Sequence, residues 1–223
     1  MRRPLADAVG LALGAALYGF SIGCVHSLRF GLHDLMKFPL LIVVTGAICG
    51  VAYYLIAGIV GLDLRFGEVQ RLALRLFRDV ALMLAALVPV NLFLARTIVK
   101  PDRAGLGEYP LFLGLNVGFI ALAGAFALVL RLQGLAATHP TPLARRFAAL
   151  GGWLAISLLV GGQVAWTLRP LFGVASIPGA ETRLFLGSAP DYRGATNFYE
   201  AIYHLVAPAP LGADYTLRGR GYD

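Results

Sequence analysis

Residues 38–62, FPLLIVVTGAICGVAYYLIAGIVGL, carry no charged side chain from end to end. About 20 predominantly apolar residues are enough to cross a hydrocarbon core roughly 30 Å thick. Four more stretches read the same way: Ala8–His26, Val80–Val99, Pro110–Leu130 and Phe147–Leu168. Backbone N–H and C=O groups cannot go unpaired in hydrocarbon, and none of these runs alternates as a barrel strand does, so each is expected to be a helix. The expected fold is an all-α membrane protein. Its bundle, 1–172, has about five transmembrane helices (8–26, 38–62, 80–99, 110–130 and 147–168), and a C-terminal tail follows over 173–223.

Composition agrees with this reading. The chain is 58% hydrophobic and only 14% charged, with a mean hydropathy of +0.74. A soluble domain carries about 25% charged residues, and a water-soluble fold of this length could not bury so much apolar surface. The net charge of +7 does not point to nucleic acid, because the basic residues flank apolar runs, where they orient spans and meet anionic lipid. The start, Met1-Arg2-Arg3 and then an apolar run, imitates a signal peptide. No A-x-A site interrupts the run, so it is read as a retained first helix. Cys24 and Cys49 lie inside apolar runs with no metal or disulfide spacing and are expected to be small packing residues.

Between spans two and three, LDLRFGEVQRLALRLFRD (62–79) sets Phe66, Val69, Leu72, Ala73, Leu76 and Phe77 at helical spacing, with Arg65, Glu68, Arg71, Arg75 and Arg78 opposite. An amphipathic helix over 64–78 is therefore expected in the headgroup plane, with Arg65, Arg71, Arg75 and Arg78 reaching lipid phosphate. Basic residues near the span ends favour a cytoplasmic N-terminus in a bacterial inner membrane. Glycines recur four apart at Gly10/Gly14, Gly19/Gly23, Gly46/Gly50 and Gly114/Gly118, a spacing that lets helix backbones approach closely. The proline-bearing tail reads as loose, apart from a short amphipathic helix over 197–206 capped by Thr196 or Asn197.

Polar residues inside spans carry the functional expectations. Pro89 is expected to kink span three, leaving Asn91 to pair freed carbonyls or to bridge to Asn116 and Gln163. These three side chains would serve as interhelical glue or line a path for a substrate. No Asp or Glu falls in the middle of a span so drawn. His26, Arg29, His33, Asp34 and Lys37 collect around the first loop, without a metal-ligand spacing. No GxSxG, HExxH, GxxxxGK[ST] or strand-borne GxGxxG motif is present. Ser21 and Ser157 have no His–Asp arrangement in register, so neither catalysis nor a bound cofactor is expected.

The run QVAWTLRPLFG (Gln163–Gly173), followed by Asn197-Phe198-Tyr199, resembles a family of bacterial multi-span membrane proteins with a C-terminal GxQxxWxLRPFxG…NFY signature. Its upstream YGxxxG…KxPxL pattern is matched by Tyr18-Gly19 through Gly23 and by Lys37-Phe38-Pro39-Leu40. Members often bear the label "actin-binding WH2 domain-containing protein", although no WH2 motif stands in this chain. The layout also distantly resembles the five-span Yip-type proteins. The resemblance implies the topology and little about activity. Physically, Trp166 suits the membrane interface, Arg169 caps span five, Pro170 stops it, and Asn197-Phe198-Tyr199 return to this corner. Gln163, Trp166, Arg169, Pro170, Asn197, Phe198 and Tyr199 are thus the candidate contacts to a partner or lipid. The leading expectation is a non-catalytic membrane subunit or scaffold that holds other membrane subunits or a second copy of itself in the bilayer. The alternatives are a small transporter or channel using spans three to five, and an accessory subunit carrying a pigment or haem on His26 or His33.

Overall fold

A computed structural model describes residues 2–25, 27–98, 108–138, 142–168 and 197–206. These form seven helices and, among the described residues, no strand: α1 (Arg2–Gly23), α2 (Leu28–Val60), α3 (Phe66–Ala86), α4 (Val88–Ile98), α5 (Glu108–Thr138), α6 (Leu143–Thr167) and α7 (Phe198–Val206). Helices α1, α2, α5 and α6 are each long and apolar enough to cross a membrane. α3 and α4 pass the same test together, as a pair bent by 50°. The chain is an all-α protein with the helices of a membrane-embedded one.

α2 begins ten residues before the expected start of span two. Ser27 caps it, its side chain accepting from the Phe30 N–H at 3.3 Å, which fixes the start regardless of hydropathy. At 33 residues the helix is about 50 Å long at 1.5 Å per residue, so it overshoots a core of about 30 Å. Its far end closes at Gly61, which has φ 76°, a left-handed conformation glycine adopts without penalty. There the Leu62 N–H reaches back to Ala57 O at 2.8 Å, satisfying a terminal carbonyl.

The separate interfacial helix over 64–78 and the span over 80–99 give way to a different division. α3 runs unbroken from Phe66 to Ala86. It starts where the Glu68 carboxylate accepts from the Arg65 N–H at 2.9 Å, near the positive end of the helix dipole. Its apolar face (Val69, Ala73, Leu76, Phe77, Val80, Ala81 and Leu84) is buried inside the bundle rather than turned to acyl chains. Amphipathic periodicity fixed that face, but not what covers it. The break falls at Leu87, two residues before Pro89, whose ring would clash with the carbonyl four residues back.

α1 lies against both α2 and α3, α2 also packs on α6, and α3 on α5. Three glycines of the four-residue pairs, Gly14, Gly19 and Gly23, make the α1 contacts possible. A Cβ at Gly14 would stand 2.7 Å from Ala81 O, and one at Gly23 would stand 2.6 Å from Phe30 O. Gly118 on α5 has nothing within 4 Å of such a Cβ. The outer helices are the least covered, with 22% of the apolar stretch of α5 and 17% of that of α6 buried.

Candidate functional site

The corner singled out in the sequence is built from the last turns of α6 and from α7. Asn197 caps α7, its Oδ1 accepting from Tyr199 N at 3.1 Å and Glu200 N at 3.0 Å. Tyr199 then donates its hydroxyl to Leu158 O on α6 at 2.7 Å. Partial burial pushes the Tyr199 phenol above its ordinary range, so it stays protonated and able to donate. Room for this docking comes from Gly162, where a Cβ would lie 2.6 Å from Phe198 Cδ1 and 3.0 Å from the Tyr199 hydroxyl. Trp166, one turn on, is half-buried, and Gln163 is exposed. Tyr203 is 67% exposed on α7. Arg169 and Pro170 lie outside the described residues, as do His26 and most of the tail.

Two of the three intramembrane amides, Asn91 and Asn116, bond to α1. Asn91 Nδ2 donates to Ser21 Oγ at 3.0 Å, and Ser21 donates to Tyr18 O at 2.7 Å. Tyr18 donates to Asn116 Oδ1 at 2.8 Å, and Asn116 Nδ2 donates to Phe112 O at 2.9 Å. Asn91 and Asn116 thus each tie to α1 rather than to one another, and Gln163 sits on the far, exposed face. Ser157 is likewise engaged. It donates to Trp153 O at 2.6 Å and shares a short hydrogen bond with the Tyr53 hydroxyl. The Tyr53 and Trp153 rings stack with centroids 4.9 Å apart.

An ionic cluster joins three helices at the end of the bundle where α1 begins. Arg78 pairs with Asp7 and with Asp79, the latter at 2.7 Å. Arg131 of α5 pairs with Asp79, its Nε at 2.6 Å. Arg75 Nε stands 3.7 Å from Asp7. Arg65 and Arg71 are exposed, so of the four arginines assigned to lipid phosphate, Arg78 spends its guanidinium on carboxylates.

The extension of α2 exposes what the span boundary at Phe38 concealed. Asp34 and Lys37 are not in a loop. They lie one turn apart on α2, at 0% and 2% exposure, and Asp34 faces the glycine surface of α1. Neither Asp34 oxygen has a hydrogen-bond partner among the described residues, and the same is true of His33 Nδ1. Among the described residues no three His, Cys, Asp or Glu side chains converge as metal ligands.

Among the described residues a cavity of about 150 Å³ is bordered by α2, α3, α5 and α6 and by Phe198, and a second, of about 210 Å³, lies between α1, α2 and α3 beside Gln70. The lining of the first is apolar but for Thr45 and Ser157. Comparison of the chain with protein-family models, with curated proteins and with solved structures finds no match.

Proposed function

We propose that the protein is a non-catalytic membrane subunit that holds a partner membrane protein at the α6–α7 corner. The observation that carries this reading is the docking of α7 on α6 through Gly162 and the Tyr199–Leu158 bond. A nine-residue helix is too short to stand alone in water, and here it is fixed against a span with Tyr203 and Gln163 left facing outward. Exposed tyrosines on a rigid support are the usual anchors of protein interfaces, and a glutamine amide at the edge of a span gains from a polar partner. Counting α3 and α4 as one bent span gives five spans, so the corner lies on the side opposite the N-terminus. The flanking arginines favour an N-terminus in the cytoplasm of a bacterial inner membrane.

Solubilisation of native membranes in mild detergent, followed by native mass spectrometry, tests the reading. A stoichiometric complex that is lost in the Gln163→Ala/Tyr203→Ala variant, while the bundle melts unchanged, is the expected result. Recovery of the wild-type protein as a lone monomer overturns it.

A further inference from the structure

The cavity between α5 and α6 lies at the level of the apolar segments of all four helices around it, and its sparsest side is where α5 meets α6. At Gly124, on its wall, an added Cβ would meet nothing within 4 Å. Three kinds of occupant are conceivable, and size and polarity decide among them. A helix about 10 Å across does not enter about 150 Å³. Water needs two to four polar partners in a cavity. Here Ser157 is already bonded to Trp153 O and the Tyr53 hydroxyl, which leaves Thr45 Oγ1 as the one lining group without a partner among the described residues. Hydrocarbon fits. A dry cavity of about this volume lined by Leu, Ile and Phe admits a benzene-sized apolar molecule, and the surrounding bilayer supplies alkyl chains at high concentration.

The charge at one end of the cavity says which lipid. Leu128 is on the cavity wall, and Arg131 follows it by one turn of α5, beside Arg78, Arg75, Asp7 and Asp79. Three guanidinium groups against two carboxylates leave this end net positive, which favours an anionic headgroup. We propose that the cavity holds a short segment of one acyl chain of an anionic phospholipid, about as large as benzene, the rest of the chain lying in the bilayer and its phosphate at the Arg131 end. The site stands whether or not the α6–α7 corner binds a partner.

The test reconstitutes the full chain into vesicles of phosphatidylcholine carrying a trace of spin-labelled lipid. Labelled phosphatidylglycerol is compared with labelled phosphatidylcholine, each labelled near the chain end. Wild-type protein is expected to immobilise a population of the anionic lipid in preference to the neutral one. Gly124→Phe, which fills open space rather than displacing a neighbour, is expected to reduce that population by about tenfold, equivalent to 1.4 kcal/mol, with the melting transition retained. Arg75→Gln, at the exposed edge of the cluster, narrows the preference for the anionic lipid without emptying the cavity. Labelled free fatty acid serves as the third arm, and it is expected to bind more weakly than phosphatidylglycerol. Equal immobilisation of all three lipids, or an unchanged population in a folded Gly124→Phe protein, overturns the proposal. If Gly124→Phe fails to fold, Gly124→Leu takes its place under the same criterion.

Discussion

Tyr18 on α1 donates its hydroxyl to Asn116 Oδ1 on α5 at 2.8 Å, and both side chains have 0% exposure. The bond joins two helices 98 residues apart in sequence. Because the Asn116 amide also donates to Phe112 O, one side chain serves its own helix and a neighbour together. Helices in a bilayer have no hydrophobic drive toward one another, so such bonds and close packing are what set the arrangement.

Removing either end of that bond should therefore loosen α5. Tyr18→Phe and Asn116→Leu are each expected to cost about 1 kcal/mol, with a coupling of about 0.6–1.7 kcal/mol in the double-mutant cycle, as found for hydrogen bonds between membrane helices. Reversible unfolding in mixed micelles measures it. Additive single effects would show that the two groups act independently.

Gly162→Leu places a side chain where Phe198 now sits, 2.6 Å from the glycine's Cβ position. α7 is expected to leave α6. Amide hydrogen exchange over α7 should then rise toward that of an unstructured peptide, while it stays protected in the Gly162 background. Tyr199→Phe is the milder change and removes only the bond to Leu158 O, worth about 1 kcal/mol. Because the site is at the rim, bundle melting should move little in both.

The ionic cluster predicts a difference between two arginine replacements. Arg78 reaches Asp7 and Asp79 at once through separate guanidinium nitrogens, a fork that lysine cannot reproduce. Arg78→Ala is expected to destabilise by about 2 kcal/mol, between the limits for exposed and buried pairs. Arg78→Lys should recover less than half of the loss. Salt should change the wild-type stability only slightly, since both carboxylates are largely shielded.

What the sequence made legible follows its physics closely. The apolar runs are long enough that only helices satisfy their backbones, so the helical class was visible in residues 38–62 alone. The face of α3 was also visible, because Val69, Ala73, Leu76 and Phe77 recur at helical spacing. Periodicity is silent about what lies across from that face, however, and the cover is α1, α5 and α2 rather than lipid. The start of α2 was hidden because Asp34 and Lys37 lower the local hydropathy. The signal that would have found it is Ser27, a good cap placed just before a long apolar run. Tyr199 and Asn197 stood out by resemblance. Gly162 did not, because one glycine among 27 announces no role until its neighbour is known.

The buried pair on α2 gives the sharpest prediction. Asp34 has no exposure and no hydrogen bond to either oxygen among the described residues, and Lys37 lies one turn further on with 2% exposure. α1 comes close enough that a Cβ at Gly23 would stand 2.7 Å from Asp34 Oδ2, so water has little room to solvate the carboxyl. Removing Lys37 takes away the one cation a turn from Asp34 on α2 and leaves a buried carboxyl with neither oxygen bonded among the described residues, at a cost of about 3–5 kcal/mol if it stays charged. Removing both in favour of apolar side chains of similar volume is often neutral or stabilising. Lys37→Met is expected to destabilise strongly, while Asp34→Leu/Lys37→Met returns to within about 1 kcal/mol of the wild type or exceeds it. If the pair instead serves a task beyond folding, the double variant will be stable and yet impaired in the cell. Unfolding measured beside a complementation assay separates a pair kept for packing from one kept for use.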